Sequence, residues 1–466
     1  MRYDTILKNG SMIDPCNDRY GKFDVALGDG KVLAVEADID DRFSKQCLDC
    51  TGKMILPGII DPHVHVSEWI GGGEGHKMMA SRGVITAIDA TGPAGEIIDN
   101  LLQKGSGLNI GWLNLIGFSL ANKIPNPTPT EITSALSSMM EEGALGVKIM
   151  GGHYPLEPEA TAEIIAQAAK LQIFCTFHVG TTNTGSDLKG LIEAVELART
   201  APLHIPHINA YCRGCYDSPI AETQEALKIL DKERNIFSDS YLFRATGTSG
   251  FCRGGVPESN VTKISLERGG YPATEDGLSK AINEGYTSVS IYCGGENQLI
   301  TGEKALSFWR EKNTIATVSF PINSMESIYL LATAKNPNGK FIVNSFSTDG
   351  GGIPRNTIVS YGLALVRMGA ITLNDFAIKS SVAPAAMLGL AQKGHLGVEA
   401  DADVTVLDLE TGKAVLGIAL GRIIMVNGTV VGSGGTVLTT ETNKNRLKNQ
   451  GVNWQIVDVS QSLGRG

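Results

Sequence analysis

The chain has 466 residues, 42% of them hydrophobic and 19% charged, and a net charge of −9. That composition is globular, too large for one ordinary core, and too acidic to suggest a nucleic-acid-binding surface. No run approaches the roughly 18 apolar residues of a membrane span, so no membrane partner is expected.

The start, MRYDTILKNG, lacks the apolar stretch of a signal peptide. Eight cysteines spread over so long a chain do not read as a disulfide framework. A reducing, cytoplasmic setting is therefore expected. The two CxxC pairs, Cys47 with Cys50 and Cys212 with Cys215, lie too far apart to read as a zinc ribbon.

Residues 1–56 carry short β-runs, DTILKNG, DVALGDGKVLAVE and KMILPG, with GDGK as a hairpin turn. From 57 to 395 β-runs alternate with amphipathic helical runs. The β-runs are ILPGIIDPHVHV, GVITAIDATG, NIGWLNLIGF, GALGVKIMGG, IFCTFHVG, PLHIPHINA, NIFSDSYLF and FIVNSFSTDGGG. Eight such runs separated by helices predict an α/β fold, a (β/α)8 barrel. The stretch at about 250–340 breaks the rhythm and is expected to be an excursion over the barrel mouth. ADADVTVLDLE and GRIIMVNGTVVGSG, within 396–440, repeat the opening pattern. One small β-domain built from both chain ends accounts for that, with 441–466 as a polar tail.

Barrel enzymes keep their chemistry at the C-terminal ends of the strands. The polar residues at those ends are His63, His65, Lys148, His178, His207 and Asp349. In a strand, residues i and i+2 face the same side, so His63 and His65 point together, as two ligands of one metal would. Four histidines with one aspartate suit zinc or a similar divalent ion. Lys148 is the odd member, because a buried ammonium is costly. Lowering its pKa is one solution. Reaction with CO₂ is another, giving an anionic carbamate able to bridge two ions. His204, three before His207, is expected to face away and pack. His153 and His76 sit in glycine-rich loops near the mouth and are candidates for touching substrate, whereas His395 is expected to be structural.

The stretches PGIIDPHVHV, GALGVKIMGG, TFHVG, HIPHIN and STDGGG resemble the amidohydrolase superfamily over nearly the whole chain. That resemblance implies a distorted (β/α)8 TIM barrel with a small β-sandwich domain formed from both chain ends. It also implies a binuclear zinc centre. His63, His65 and Asp349 would hold one ion, His178 and His207 the other, and carboxylated Lys148 would be shared.

Within the superfamily, EEGALGV, GGHYP, HIPHINA and DSYLFRATGTSG look like N-acyl-D-amino-acid deacylases. HVHVSEWIGGGEG looks like isoaspartyl dipeptidases, where a glutamate holds the substrate amine, here Glu74. The Lys148 type also occurs in dihydroorotases and hydantoinases, which open cyclic amides. The expected reaction is hydrolysis of a C–N amide bond, other than an ordinary peptide bond, in a small carboxylate-bearing substrate. A metal-activated hydroxide attacks, and Asp349 serves as general base and then acid. The leading expectation is a deacylase of N-acyl-D-amino acids. A cyclic-amide hydrolase or an isoaspartyl dipeptidase is the alternative, and a deaminase or a non-catalytic scaffold comes after these. Tyr154 is placed to bond the carbonyl or its oxyanion. Arg213, Arg244, Arg253 and Arg355 are candidates for gripping a carboxylate. The family also suggests a homo-oligomer.

Overall fold

The computed structural model describes residues 2–68, 72–116 and 126–464. Residues 69–71 of the glycine-rich loop after His65, and the last two of the tail, lie outside these.

Eight parallel strands form the barrel. In order they are Ile59–His65, Val84–Asp89, Ser106–Leu115, Gly146–Met150, Phe174–His178, Leu203–Ile205, Ile236–Tyr241 and Ser345–Ser347. Each pairs with the next. Strand eight bends out at Thr348 and Asp349 and re-forms as Gly350–Gly351, which pairs with Val64 and His65 of strand one and closes the ring. Every residue of strand one is buried. Burial on both faces is why barrel strands read as near-continuous apolar runs in which a polar residue stands out.

The helices outside the ring carry clear start signals. Helix Pro158–Lys170 has proline in its first turn and turns Ala160, Ile164, Ile165 and Ala168 inward. Helix Pro219–Lys232 also starts with proline, capped by Ser218 accepting from the Ala221 N–H. Among the described residues no helix is long and apolar enough to cross a membrane.

The two chain ends meet in two further sheets. A four-stranded sheet comes from the N-terminal segment, and a seven-stranded sheet joins N-terminal strands to strands between Val404 and Val430. Leu7, Val25, Val32 and Ile55 share their core with Val404, Val406 and Ile418. Strand Gly434–Thr439 leaves these sheets and pairs in parallel with barrel strand three, and Asn453–Ile456 pairs beside it. The boundary drawn at residue 440 thus falls just past the end of a strand that belongs to the barrel sheet. Strand three is ten residues long, and only Leu113–Leu115 pair with strand four. Its first half offers an open edge there, which Gly434–Thr439 fills.

Under the barrel, Lys393 sits between Asp401 and Asp403 at 2.9 and 2.7 Å. Asp401 also accepts from Lys31 and Gln455, and Asp403 from Asn109 and the Leu420 N–H. This network ties both chain ends to barrel strand three.

The break in rhythm is a cap of about seventy residues, by chain position from Thr248 to Ser319, inserted between strands seven and eight. Four of its strands, Thr248–Ser249, Thr317–Ser319, Ser288–Cys293 and Glu296–Ile300, form one antiparallel sheet. Three helices cover them, and Leu266, Leu278, Ile282, Val289, Trp309 and Phe320 form a core of its own. Helix Met325–Thr333 then returns the chain to the barrel wall against Pro219–Lys232.

Candidate metal centre

At the C-terminal ends of the strands the six residues singled out in the sequence converge. His65 Nε2 lies 2.8 Å from Asp349 Oδ1, and His63 Nε2 lies 3.6 Å from the same oxygen. Lys148 Nζ is 3.5 Å from His63 Nε2. His178 Nδ1 is 3.0 Å from His207 Nε2. The His63 and His207 rings stack at 4.9 Å and join the two groups.

Two of these residues hold unusual backbones. His207 has φ +67° and Asp349 has φ +48°, left-handed conformations that cost a side-chain-bearing residue and concentrate at functional sites. His207 lies past the end of strand six, so strand alternation does not govern it. His204 lies within that strand, buried, with Nδ1 2.9 Å from Thr176 Oγ1 and Nε2 3.0 Å from Asp239 Oδ2. On strand four's loop, any Cβ on Gly152 would stand 2.6 Å from His178 Nε2, so the GGH sequence lets that loop close on the ring.

Asp349 is held from several sides. Arg355, 2% exposed, pairs with its Oδ2 and donates from Nε to its carbonyl at 2.6 Å. The Asp349 N–H donates to His63 O at 2.9 Å. Below it, Thr348 donates its N–H and hydroxyl to Asp61, which also accepts from the His63 N–H. Burial pushes Asp61 up to about 7. Burial also works to raise Asp349, but the Arg355 guanidinium and the His65 hydrogen bond hold it well below the carboxylate range. Burial keeps His63, His178 and His207 well below the usual imidazole value, so all three are neutral at pH 7 with lone pairs to offer. Lys148 is pushed down to about 8 by burial, which gives it the free-amine fraction that reaction with CO₂ needs.

The donor set fits a divalent metal. The ligand atoms of His63, His65 and Asp349 lie within 4.8 Å of one another. Imidazole nitrogens with one carboxylate oxygen suit zinc or a similar divalent ion.

A cavity of about 570 Å³ stands over the centre, roofed by Thr246–Ser249, Glu258–Val261 and Ile315–Thr317 at the cap side. His153, Tyr154, Arg213 and Arg355 line it as well. Arg213 is braced by Asn323 Oδ1 at 2.9 Å and the Tyr241 hydroxyl at 3.1 Å.

Other residues proposed from the sequence lie elsewhere. Glu74 is not part of the lining and faces Lys104 Nζ at 3.5 Å, while Glu68 of the same loop does line the cavity. Arg244 is exposed and outside the lining, and Arg253 pairs with Glu258 on the surface. His76 is fully buried in helix Gly75–Ala80 and outside the lining. The four CxxC cysteines are free thiols. Sequence reasoning missed Ser186, Tyr211 and Asn323. For Tyr211 a signal existed: it follows His207 by four residues, and a helical turn brings that spacing together.

No family model matches the chain. An allantoinase from Escherichia coli O1:K1 / APEC is 35% identical over 94 residues, 19% of this chain and 20% of its own length. The match thus spans about a fifth of that curated relative. Among solved structures, N-acyl-D-glutamate deacylase from Bordetella bronchiseptica, complexed with zinc and a phosphonate inhibitor, superposes with a TM-score of 0.71 at 15% identity. The superposition covers 94% of this chain and 99% of that one. D-aminoacylase, described as defining a novel subset of amidohydrolases, gives 0.67 at 16% identity over 93% and 99%. The fold is that of the amidohydrolases. Dihydropyrimidinase from Brevibacillus agri shares it too, at 0.60 and 17% identity over 93% and 98%. In this amidohydrolase fold the histidines and Asp349 occupy the strand ends, where a barrel places its reactive groups.

Proposed function

We propose that the chain is a metal-dependent amidohydrolase that cleaves a C–N amide bond in a small, carboxylate-bearing substrate. The observation that carries this reading is the convergence of four histidines, Lys148 and Asp349 on the floor of one cavity. His63, His65 and Asp349 would hold one zinc or similar ion, His178 and His207 a second, with Lys148 as a carbamate between them. When bound, such ions polarise an amide carbonyl and make water acidic enough to ionise near neutral pH.

The chain's own residues do the rest. Asp349, ionised and oriented by Arg355, takes a proton from the attacking water and delivers it to the leaving nitrogen. An amide nitrogen leaves poorly unless protonated, so this transfer is the step the carboxylate serves. Tyr154 and His153, on the cavity wall, are the groups to bond the carbonyl oxygen as it gains charge. Arg213, already braced by Asn323 and Tyr241, meets the substrate carboxylate.

Within that class we favour an N-acyl-D-amino-acid deacylase. The deacylase folds superpose better than the dihydropyrimidinase, and two arginines line the cavity. A cyclic-amide hydrolase is the second reading, supported by Lys148, whose burial suits a bridging carbamate. The isoaspartyl dipeptidase reading finds no support in Glu74, which lies outside the cavity, whereas Glu68 of the same loop lines it.

The test is elemental analysis and intact mass of purified wild type and Lys148→Ala, followed by assays on N-acetyl-D-amino acids, hydantoins and dihydroorotate. Two ions per chain, with occupancy and activity lost in the variant, are expected. One ion or none, with Lys148→Ala still active, overturns the two-ion mechanism. Turnover of the cyclic amides alone moves the assignment to the second reading.

A further inference from the structure

The ring nitrogens of His178 and His207 that face each other are only half of each imidazole. On the far sides, His178 Nε2 lies 2.8 Å from Ser186 Oγ, and His207 Nδ1 lies 3.2 Å from the Tyr211 hydroxyl. Tyr211 is fully buried, and its oxygen also accepts from the Val179 N–H at 3.3 Å. Ser186 belongs to a loop shaped by Glu193, whose carboxylate accepts from both Thr181 and Thr184.

A neutral imidazole carries one proton, so a nitrogen can offer a lone pair only if the other nitrogen holds the hydrogen. If His178 donates Nε2–H to Ser186 and His207 donates Nδ1–H to Tyr211, two lone pairs face each other 3.0 Å apart. Lone pairs at that distance repel unless a cation or a proton lies between them. Without an ion, one facing nitrogen keeps a proton, and the matching hydroxyl turns to donate. Serine and tyrosine hydroxyls both donate and accept, so they serve either state. A carboxylate or an ammonium in their place would lock one tautomer.

We propose that Ser186 and Tyr211 are positioning residues that set the tautomers of His178 and His207, so that Nδ1 of one and Nε2 of the other are presented together to a single divalent ion. This rests on the reading that the cavity floor binds divalent ions. It adds that the His178–His207 half is controlled separately from the His63–His65–Asp349 half.

The test uses the full chain as wild type, Ser186→Ala and Tyr211→Phe. Zinc affinity is measured by competition with a chelating dye, stoichiometry by elemental analysis, and ligand field by the absorption of the cobalt-loaded protein. Each variant is expected to lose roughly tenfold to a hundredfold in affinity at one of two ions, leaving the other unchanged. The cobalt spectrum should change in the same half. Folded variants that bind two ions with wild-type affinity and an unchanged spectrum overturn the proposal. If Tyr211→Phe fails to fold, Ser186→Ala, on a partly exposed loop, decides alone. A wild type that binds two ions while the variants are unaffected rejects this inference only. A wild type that binds none rejects the functional reading and this inference with it.

Discussion

Lys393 and Lys148 are both buried lysines, 4% and 1% exposed, in very different surroundings. Lys393, beneath the barrel, has two carboxylates within 3 Å, and these are in turn bonded to Lys31, Gln455, Asn109 and a backbone N–H. Burial works to lower its pKa, but Asp403 and Asp401 outweigh burial and raise it. Lys148, at the other end of the barrel, makes no ion pair among the described residues, and burial brings it down. Around it stand His65 Nδ1, buried without a partner, and two residues in left-handed conformations. A buried cluster whose charges are paired holds a structure together. One that buries an amine without a counter-charge beside strained backbone is the kind of arrangement that concentrates at functional sites.

The sharpest way to break this contrast is at the open end. Asp349→Asn should lower kcat by about 10²–10⁴-fold, the usual contribution of a general acid–base group, with the near-UV circular dichroism unchanged. A variant that keeps wild-type turnover would remove Asp349 from the chemistry.

Next in size is a paired comparison of stability by urea unfolding. Lys393→Ala leaves buried Asp403 without a counter-charge and takes one of two cations from Asp401, and should cost about 3–5 kcal/mol. Lys148→Met, measured without metal, removes an unpaired buried cation and should leave stability unchanged or raise it, as active-site replacements often do. Equal losses in the two variants would show that both clusters are structural.

The smallest effect concerns acid. Burial works to raise Asp401, but Lys393, Gln455 and Lys31 outweigh it, so its folded pKa lies below the ordinary 3.8. The unfolded chain then binds the extra proton, so the stabilisation from Asp401 is full above 3.8 and is lost as pH falls through and below that value. Thermal unfolding followed from about pH 6 down to about pH 3 should show this slope in wild type and a shallower one in Asp401→Asn. Identical slopes would place the acid sensitivity elsewhere.

The barrel was legible because strands buried on both faces leave apolar runs that tolerate few polar residues, and those few stood at the ends. Strand period put His63 and His65 on one face, and their reading as ligands came from the set they form with His178, His207 and Asp349. His207 was found by residue type, and its geometry was not foreseeable, because it sits beyond its strand on a left-handed backbone. The cap was visible only as a lost rhythm, since its antiparallel strands and short helices have no barrel period. Arg355 stood among four candidate arginines because its grip on Asp349 depends on a loop conformation that spacing does not specify. Glu74 and Arg244 were misplaced for the same reason: proximity to a strand end along the chain does not set which way a loop side chain turns.

The position of the cap also bears on how the molecule folds. Ser347 donates to Asp239 across the seam between strands eight and seven, although the two are 108 residues apart. Closing so long a loop in an unstructured chain carries an entropic penalty that grows with length, and it slows the search. The cap has its own core, and its two roots are already joined where Thr246 N–H meets Phe320 O and Asn323 N–H meets Arg244 O. Once it has folded, what remains to be closed between its roots and strand eight is a much shorter segment, which carries helix Met325–Thr333. Loop-closure entropy therefore favours pairing of strand eight, and with it the placement of Asp349 directly after it, in chains whose cap has already folded.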